Sequence, residues 1–348
     1  MDNQQSQKSG RGIGFWASAS VAVFFFLSTF LLLIMILGSL TSLKSVITGG
    51  PAADGDYTEE LVEGSGEKKI ALITVEGVIT SSSTTLFSDK STTAEEFKKQ
   101  LEYIKKDSQV KAVLLQIESP GGGITPSDII YNELLRYKEE SGNKVVVLMG
   151  DVAASGGYYI AVAADKIIAH PTTITGSIGV IMPLVNVSEL ISKYGIEDKS
   201  ITSGDMKDLG SPMRPMRPEE KAVLEGIIQE MYERFVSVIA TGRNMPVDEV
   251  KKLADGRIYT AQQAVDNGLV DRLGYLSDAI EQSKELAEID EAKVIRYKRR
   301  WGLGDLLNVA RGISPPGVRQ LLEWPVMDSP RLMYLWLPGF TQGIMAHR

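Results

Sequence analysis

Asp151-Val-Ala-Ala-Ser-Gly-Gly-Tyr-Tyr159 follows the run Lys144-Val-Val-Val-Leu-Met149 and precedes Ile160-Ala-Val-Ala-Ala164. The run before it is short, apolar and β-branched, which reads as a buried strand. The run after it opens a helix. Ser155 therefore sits where a strand ends and a helix begins. The paired Gly156 and Gly157 let the backbone turn tightly and approach a bound molecule closely. The first amides of a helix lack intrahelical partners and point at whatever binds there. A hydroxyl beside free N–H groups is the minimal equipment of an acyl-transfer site. A serine that merely caps the helix is the plain alternative.

On the N-terminal side, Lys69-Ile-Ala-Leu-Ile-Thr-Val75 and Lys111-Ala-Val-Leu-Leu-Gln-Ile117 read as further buried strands. Between them, Ala94 to Lys106 has helical spacing, with Phe97, Leu101 and Ile104 on one face. Glu118-Ser-Pro-Gly-Gly-Gly123 comes after the second strand and leads into a helix from about Pro126 to Glu139. Strands that are nearly all apolar, alternating with helices, predict a parallel α/β core. On the C-terminal side, Lys166–Ala169 is a short strand, Thr175–Ile181 a glycine-punctuated strand or turn, and Ser188–Tyr194 a helix. A long helix from Pro218 to about Ala240 carries a stripe of Leu224, Ile227, Ile228, Met231 and Phe235, expected to face the core. Shorter helices are expected near 247–253, 261–267 and 276–287.

The two ends differ from this core. Residues 1–11 are polar and carry Lys8 and Arg11, and residues 12–43 contain no charge. That run exceeds a secretory h-region and suits an uncleaved transmembrane signal anchor. The positive-inside rule places the N-terminus in the cytoplasm and the remainder outside the cell membrane. Residues 44–68 are glycine-rich and acidic and read as a flexible linker. The expected catalytic domain runs over 69–295, and 296–348 form a C-terminal extension with three of the four tryptophans. Within it, Leu332–Phe340 is too short to span a bilayer and is a candidate to dock on the domain, a neighbouring subunit or the membrane.

Composition narrows the chemistry. The net charge of −7 argues against a nucleic-acid partner. With no cysteine, thiol nucleophiles, iron–sulfur clusters and thiolate zinc sites are excluded. Only His170 and His347 are present, so a histidine metal cluster is not expected. A serine still needs a base. His170 lies at a strand end and reads as a strand cap, and His347 is next to last in the chain. The remaining base of suitable strength is a lysine whose ammonium form is disfavoured by burial. The residues alone leave the choice of lysine open. Lys207, in the Ser/Gly/Pro-rich loop 203–212, is attractive, although Asp205 and Asp208 flank it and would hold the proton on unless they point away.

From Ile70 to Leu286 the chain resembles the signal peptide peptidase A (SppA) family of membrane-anchored serine peptidases. The resemblance rests on five stretches: Ser119-Pro-Gly-Gly-Gly123, Ala153-Ala-Ser-Gly-Gly-Tyr-Tyr159, Thr175-Gly-Ser-Ile-Gly-Val180, Ser203-Gly-Asp-Met-Lys-Asp208 and Arg257-Ile-Tyr-Thr-Ala-Gln-Gln-Ala264. It implies a fold like those of ClpP and the crotonases, with repeated ββα units around a parallel sheet, plus one N-terminal transmembrane helix. It implies Ser155 as nucleophile, Lys207 as general base, Ser177 as the hydroxyl that aims the lysine amine, and the backbone N–H groups of Gly122 and Gly156 as oxyanion hole. No cofactor and no metal are implied. The short, single-copy form implies dyads shared between neighbouring subunits of a homo-oligomeric ring. The implied substrates are remnant signal peptides and other apolar peptides at the membrane. A related peptidase acting on other membrane proteins, a crotonase-like acyl-CoA enzyme and a non-catalytic scaffold are the competing readings.

Overall fold

The computed structural model describes residues 57–81, 91–299 and 332–336. The expected cytoplasmic N-terminus 1–11, anchor 12–43, linker residues 44–56 and much of the extension lie outside the described residues. Among the described residues, no helix is long and apolar enough to cross a membrane.

A nine-stranded sheet organises the domain. Its main order is β1 (Tyr57–Gly64), β12 (Lys293–Arg299), β2 (Lys69–Glu76), β5 (Val110–Ser119), β7 (Lys144–Ala154), β8 (Lys166–Ala169) and β11 (Arg272–Leu273). From β12 to β11 every neighbouring pair is parallel. The strands are apolar on both faces because both faces are covered. Alternation divides their side chains into two cores. Ile70, Leu72, Ala112, Leu114, Val146 and Leu148 face α8 (Leu276–Ala287) through Ala279 and Ile280. Ala71, Ile73, Val113, Leu115, Val145 and Val147 face the opposite side. There they meet α1 (Ala94–Lys106), α2 (Ile124–Ser141), α3 (Gly156–Ala161) and the end of α5 (Pro218–Gly242). Phe97, Leu101 and Ile104 are the buried stripe of α1, as expected from their spacing.

A second, four-stranded sheet lies over the site end of the first. It runs β13 (Met333–Leu335), β6 (Gly121–Gly123), β3 (Val78–Thr80), β4 (Ser91–Thr93). β2–β3, followed by the short β4, and β5–β6 each lead into a helix, and β3 pairs parallel with β6. This repetition of two strands and a helix, around a parallel-rich core, fits a ClpP-like fold.

Two boundaries shift. Residues 57–64, read as the end of a flexible linker, form β1, and β12 continues past 295 to Arg299. The acidic and basic stretches complement one another across the pair: Glu60 meets Lys298 at 2.9 Å and Arg296 at 3.6 Å. The extension is not loose throughout either, since 333–335 pair with β6. In α5 the expected stripe is core only in part: Leu224 and Phe235 are buried, whereas Ile227 is exposed.

Candidate active site

β7 delivers Ser155, and its approach is irregular. Ile117 pairs with Met149, but Ser119 pairs with Ala153, so the β7 side carries extra residues. Such a bulge bends the strand and re-aims the residues beyond it. The Glu118 carboxylate fills it, accepting hydrogen bonds from the N–H groups of Asp151 (2.9 Å) and Val152 (3.0 Å). Glu118 is a positioning group that sequence reasoning passed over; its signal was a carboxylate at the end of an otherwise apolar strand.

Ser155 itself has φ 53° and ψ −114°, a conformation that costs a non-glycine residue free energy. Its N–H donates to the Gly176 carbonyl at 2.8 Å, and its carbonyl accepts from Tyr159 N–H at 2.9 Å. The side chain makes no cap hydrogen bond to α3, which removes the plain helix-cap reading.

Gly122 and Gly156 come together beside it. A Cβ on Gly156 would stand 2.6 Å from Ser127 Oγ and 3.2 Å from the Gly122 nitrogen. Gly121, with φ +103°, has no room either: its Cβ would stand 2.7 Å from the Gly156 nitrogen and 3.1 Å from Ser155 Cβ. Three glycines thus let two backbone amides converge next to one hydroxyl. Donors so placed can hold a carbonyl oxygen as negative charge develops on it.

Ser177 lies at the same level. β9 (Ile174–Gly176) runs parallel to β7 with Ala154 opposite Gly176, so Ser155 and Ser177 leave adjacent strands together. Ser177 also has a positive φ, 50°, is nearly buried, and donates its N–H to the Arg257 carbonyl at 2.7 Å.

Lys207 is not brought to Ser155 within this chain. It is exposed, in the segment between α4 (Ser188–Lys193) and α5. Among the described residues its amine takes part in no hydrogen bond or ion pair. Asp208 is drawn away from it, into Arg214 at 2.7 Å and Arg217 at 3.6 Å. Both arginines also bind the fully buried Glu220 carboxylate. The Arg214 hydrogen bond holds the Glu220 carboxyl well below the usual range and lowers that of Asp208. His170 is occupied locally, its Nδ1 2.8 Å from Thr172 Oγ1 and its ring edge-on to Tyr275. His347 lies outside the described residues.

The profile of peptidase family S49 matches residues 137–290, and that of Clp protease matches residues 74–176. A protein of Enterococcus faecium provisionally named signal peptide peptidase SppA is 42% identical over 75% of this chain and 75% of its own length. A provisionally named protease of Synechocystis is 43% identical over 66% of this chain and 78% of its own. The chloroplastic serine protease SPPA of Arabidopsis thaliana is 38% identical over 56% of this chain and 29% of that protein. With a buried serine beside converging backbone amides at a strand end of a ClpP-like sheet and relatives of this kind, the chain belongs to peptidase family S49 and is a serine peptidase.

Proposed function

We propose that the chain is a membrane-anchored endopeptidase that degrades remnant signal peptides after their release from preproteins, with Ser155 and Lys207 as its dyad. The observation that carries the reading is Ser155 itself, held at positive φ without a cap bond and beside the Gly122 and Gly156 amides. The Lys207 amine takes the Ser155 proton, the Oγ attacks the peptide carbonyl, and the two amides hold the oxyanion. The lysine then protonates the leaving amine, and water releases the acyl group by the reverse sequence. Ser177 aims the amine.

In this reading the lysine comes from a neighbouring copy in a homo-oligomeric ring, which the exposure of Lys207 and the burial of Ser155 in the same chain support. The segment around Lys207 supports that reading: Val185, Leu190, Tyr194, Ile196 and Ile201 are large, apolar and more than half exposed. Such a surface calls for a partner. The uncharged run 12–43 supports the anchor, with the N-terminus in the cytoplasm and the catalytic domain outside. The name of the Enterococcus relative supports the substrate class. Mass spectrometry of membranes from cells carrying Ser155→Ala tests the substrate. Cleaved signal peptides should accumulate. Accumulation of membrane-protein fragments instead, with signal peptides unchanged, would assign the enzyme to other membrane substrates.

A further inference from the structure

The turn that carries Lys207 is held from a single buried point, the Glu220 carboxylate. Glu220 lies in the first turn of α5 and is fully buried. A carboxylate out of water has to be paired, and both oxygens of this one are. Its Oε2 accepts from the Arg217 N–H and from Arg214 Nη1, each at 2.9 Å. Its Oε1 accepts from Arg217 Nη2 at 2.5 Å and from Arg214 Nη2.

The two guanidiniums then reach back to the residues on either side of Lys207. Arg217 Nη2 donates to the Asp205 carbonyl, and Arg214 Nη2 to the Asp208 carbonyl at 3.4 Å. Arg214 Nε takes the Asp208 carboxylate at 2.7 Å. Lys207 closes the turn with its own N–H on the Gly204 carbonyl at 3.0 Å. The backbone is thus tied before and after Lys207. A planar fork bonds the carboxylate and the turn at once, which a lysine ammonium does not match.

The charges are arranged as well. Arg214 and Arg217 balance Glu220 and Asp208. Of the other carboxylates nearby, Asp198 accepts from Ser200 and Glu197 pairs with Lys199 at 3.2 Å. Asp205 remains on the turn itself. On the serine side, Arg257 beside Ser177 is paired with Asp255. A free carboxylate next to an amine favours the protonated form, which cannot act as a base.

We propose that Glu220, Arg214 and Arg217 are positioning residues for the base. The buried carboxylate fixes the two guanidiniums, and these fix the turn at Lys207 and withdraw the Asp208 carboxylate from its amine. The inference rests on Lys207 acting as the base.

The test frees Asp208 with Arg214→Gln and then removes the freed charge with Asp208→Asn in the same chain. In the assembled full-length protein, the acidic limb of the kcat/KM profile should move up by about one pH unit in Arg214→Gln. Below the limb that is an activity about tenfold lower. The added Asp208→Asn should bring the limb back. Asp208→Asn alone leaves Glu220 fully paired and should move the limb to lower pH; it decides the matter if Arg214→Gln does not assemble. Acetylation of Lys207 by acetic anhydride across pH, followed by mass spectrometry, reads the same shifts without catalysis, since only the free amine reacts. Folded variants whose Lys207 acetylation profile does not move would overturn the proposal. So would a loss of activity equal at every pH that Asp208→Asn does not restore, the behaviour of a merely structural cluster. An acetylation profile that moves while the kcat/KM limb stays would support the hold on Lys207 and strike instead at its assignment as the base.

Discussion

The Ser155 region and the Lys207 segment are built differently. Ser155, Gly156 and Ser177 stand at the ends of adjacent parallel strands, nearly sealed from solvent, with backbone bonds fixing each turn. Lys207 stands on a segment with one short helix, exposed apolar side chains and a charge cluster in place of a core. The first half can be preorganised by one chain, because each strand is held by its neighbours. The second lacks enough apolar burial of its own to be fixed as firmly. A dyad divided in this way would be active only when the second half has something to pack against.

Disabling the two halves separately gives the largest expected effect. Ser155→Ala and Lys207→Ala should each lower kcat/KM by about 10^4-fold or more. Mixed before assembly, the two variants should regain part of that activity, since some sites would pair an intact serine with an intact lysine. Mixtures that stay inactive although both variants assemble normally would place both halves in one chain. Lys207→Arg should be as inactive as Lys207→Ala, because guanidinium does not release its proton at working pH.

Ser177→Ala asks how far the serine side is prearranged for an incoming amine. It should lower kcat by about 10^2-fold with KM nearly unchanged, since only proton transfer is misaligned. A folded variant with wild-type kcat would remove Ser177 from the mechanism.

The smallest expected effect is on pH stability of the lysine segment. The carboxyls of Glu220 and Asp208 have lowered pKa values in the folded chain, chiefly through Arg214. A carboxyl lowered by folding stabilises fully above its unfolded pKa and loses that contribution as pH falls through the folded value. The segment should therefore loosen below about pH 4, while the sheet around Ser155 remains protected. Hydrogen exchange at pH 5 and pH 3 reads both regions at once. Equal protection of residues 195–217 at the two values would show that the arginine cluster does not hold the segment.

The apolar strands 69–75, 111–117 and 144–149, the amphipathic helix at 94–106 and the turn at Ser155 were legible from sequence, because period and glycine placement are local signals. The pairing of 57–64 with 293–299 was not. Two charged stretches more than 200 residues apart each look solvated until they face one another. The same applies to Glu118, whose carboxylate has meaning only across the bulge in the neighbouring strand.

Residue type and spacing were enough for the parallel α/β class, for the excluded chemistries and for Ser155 as a candidate, since they bound what a strand end can do, whereas Ser177, Gly122 and Gly156 came from the family resemblance alone. That these four residues converge while Lys207 stays apart emerged from the folded chain alone. So did the pairing of 333–335 with β6, because pairing between distant segments depends on which edges remain open once the sheets have formed.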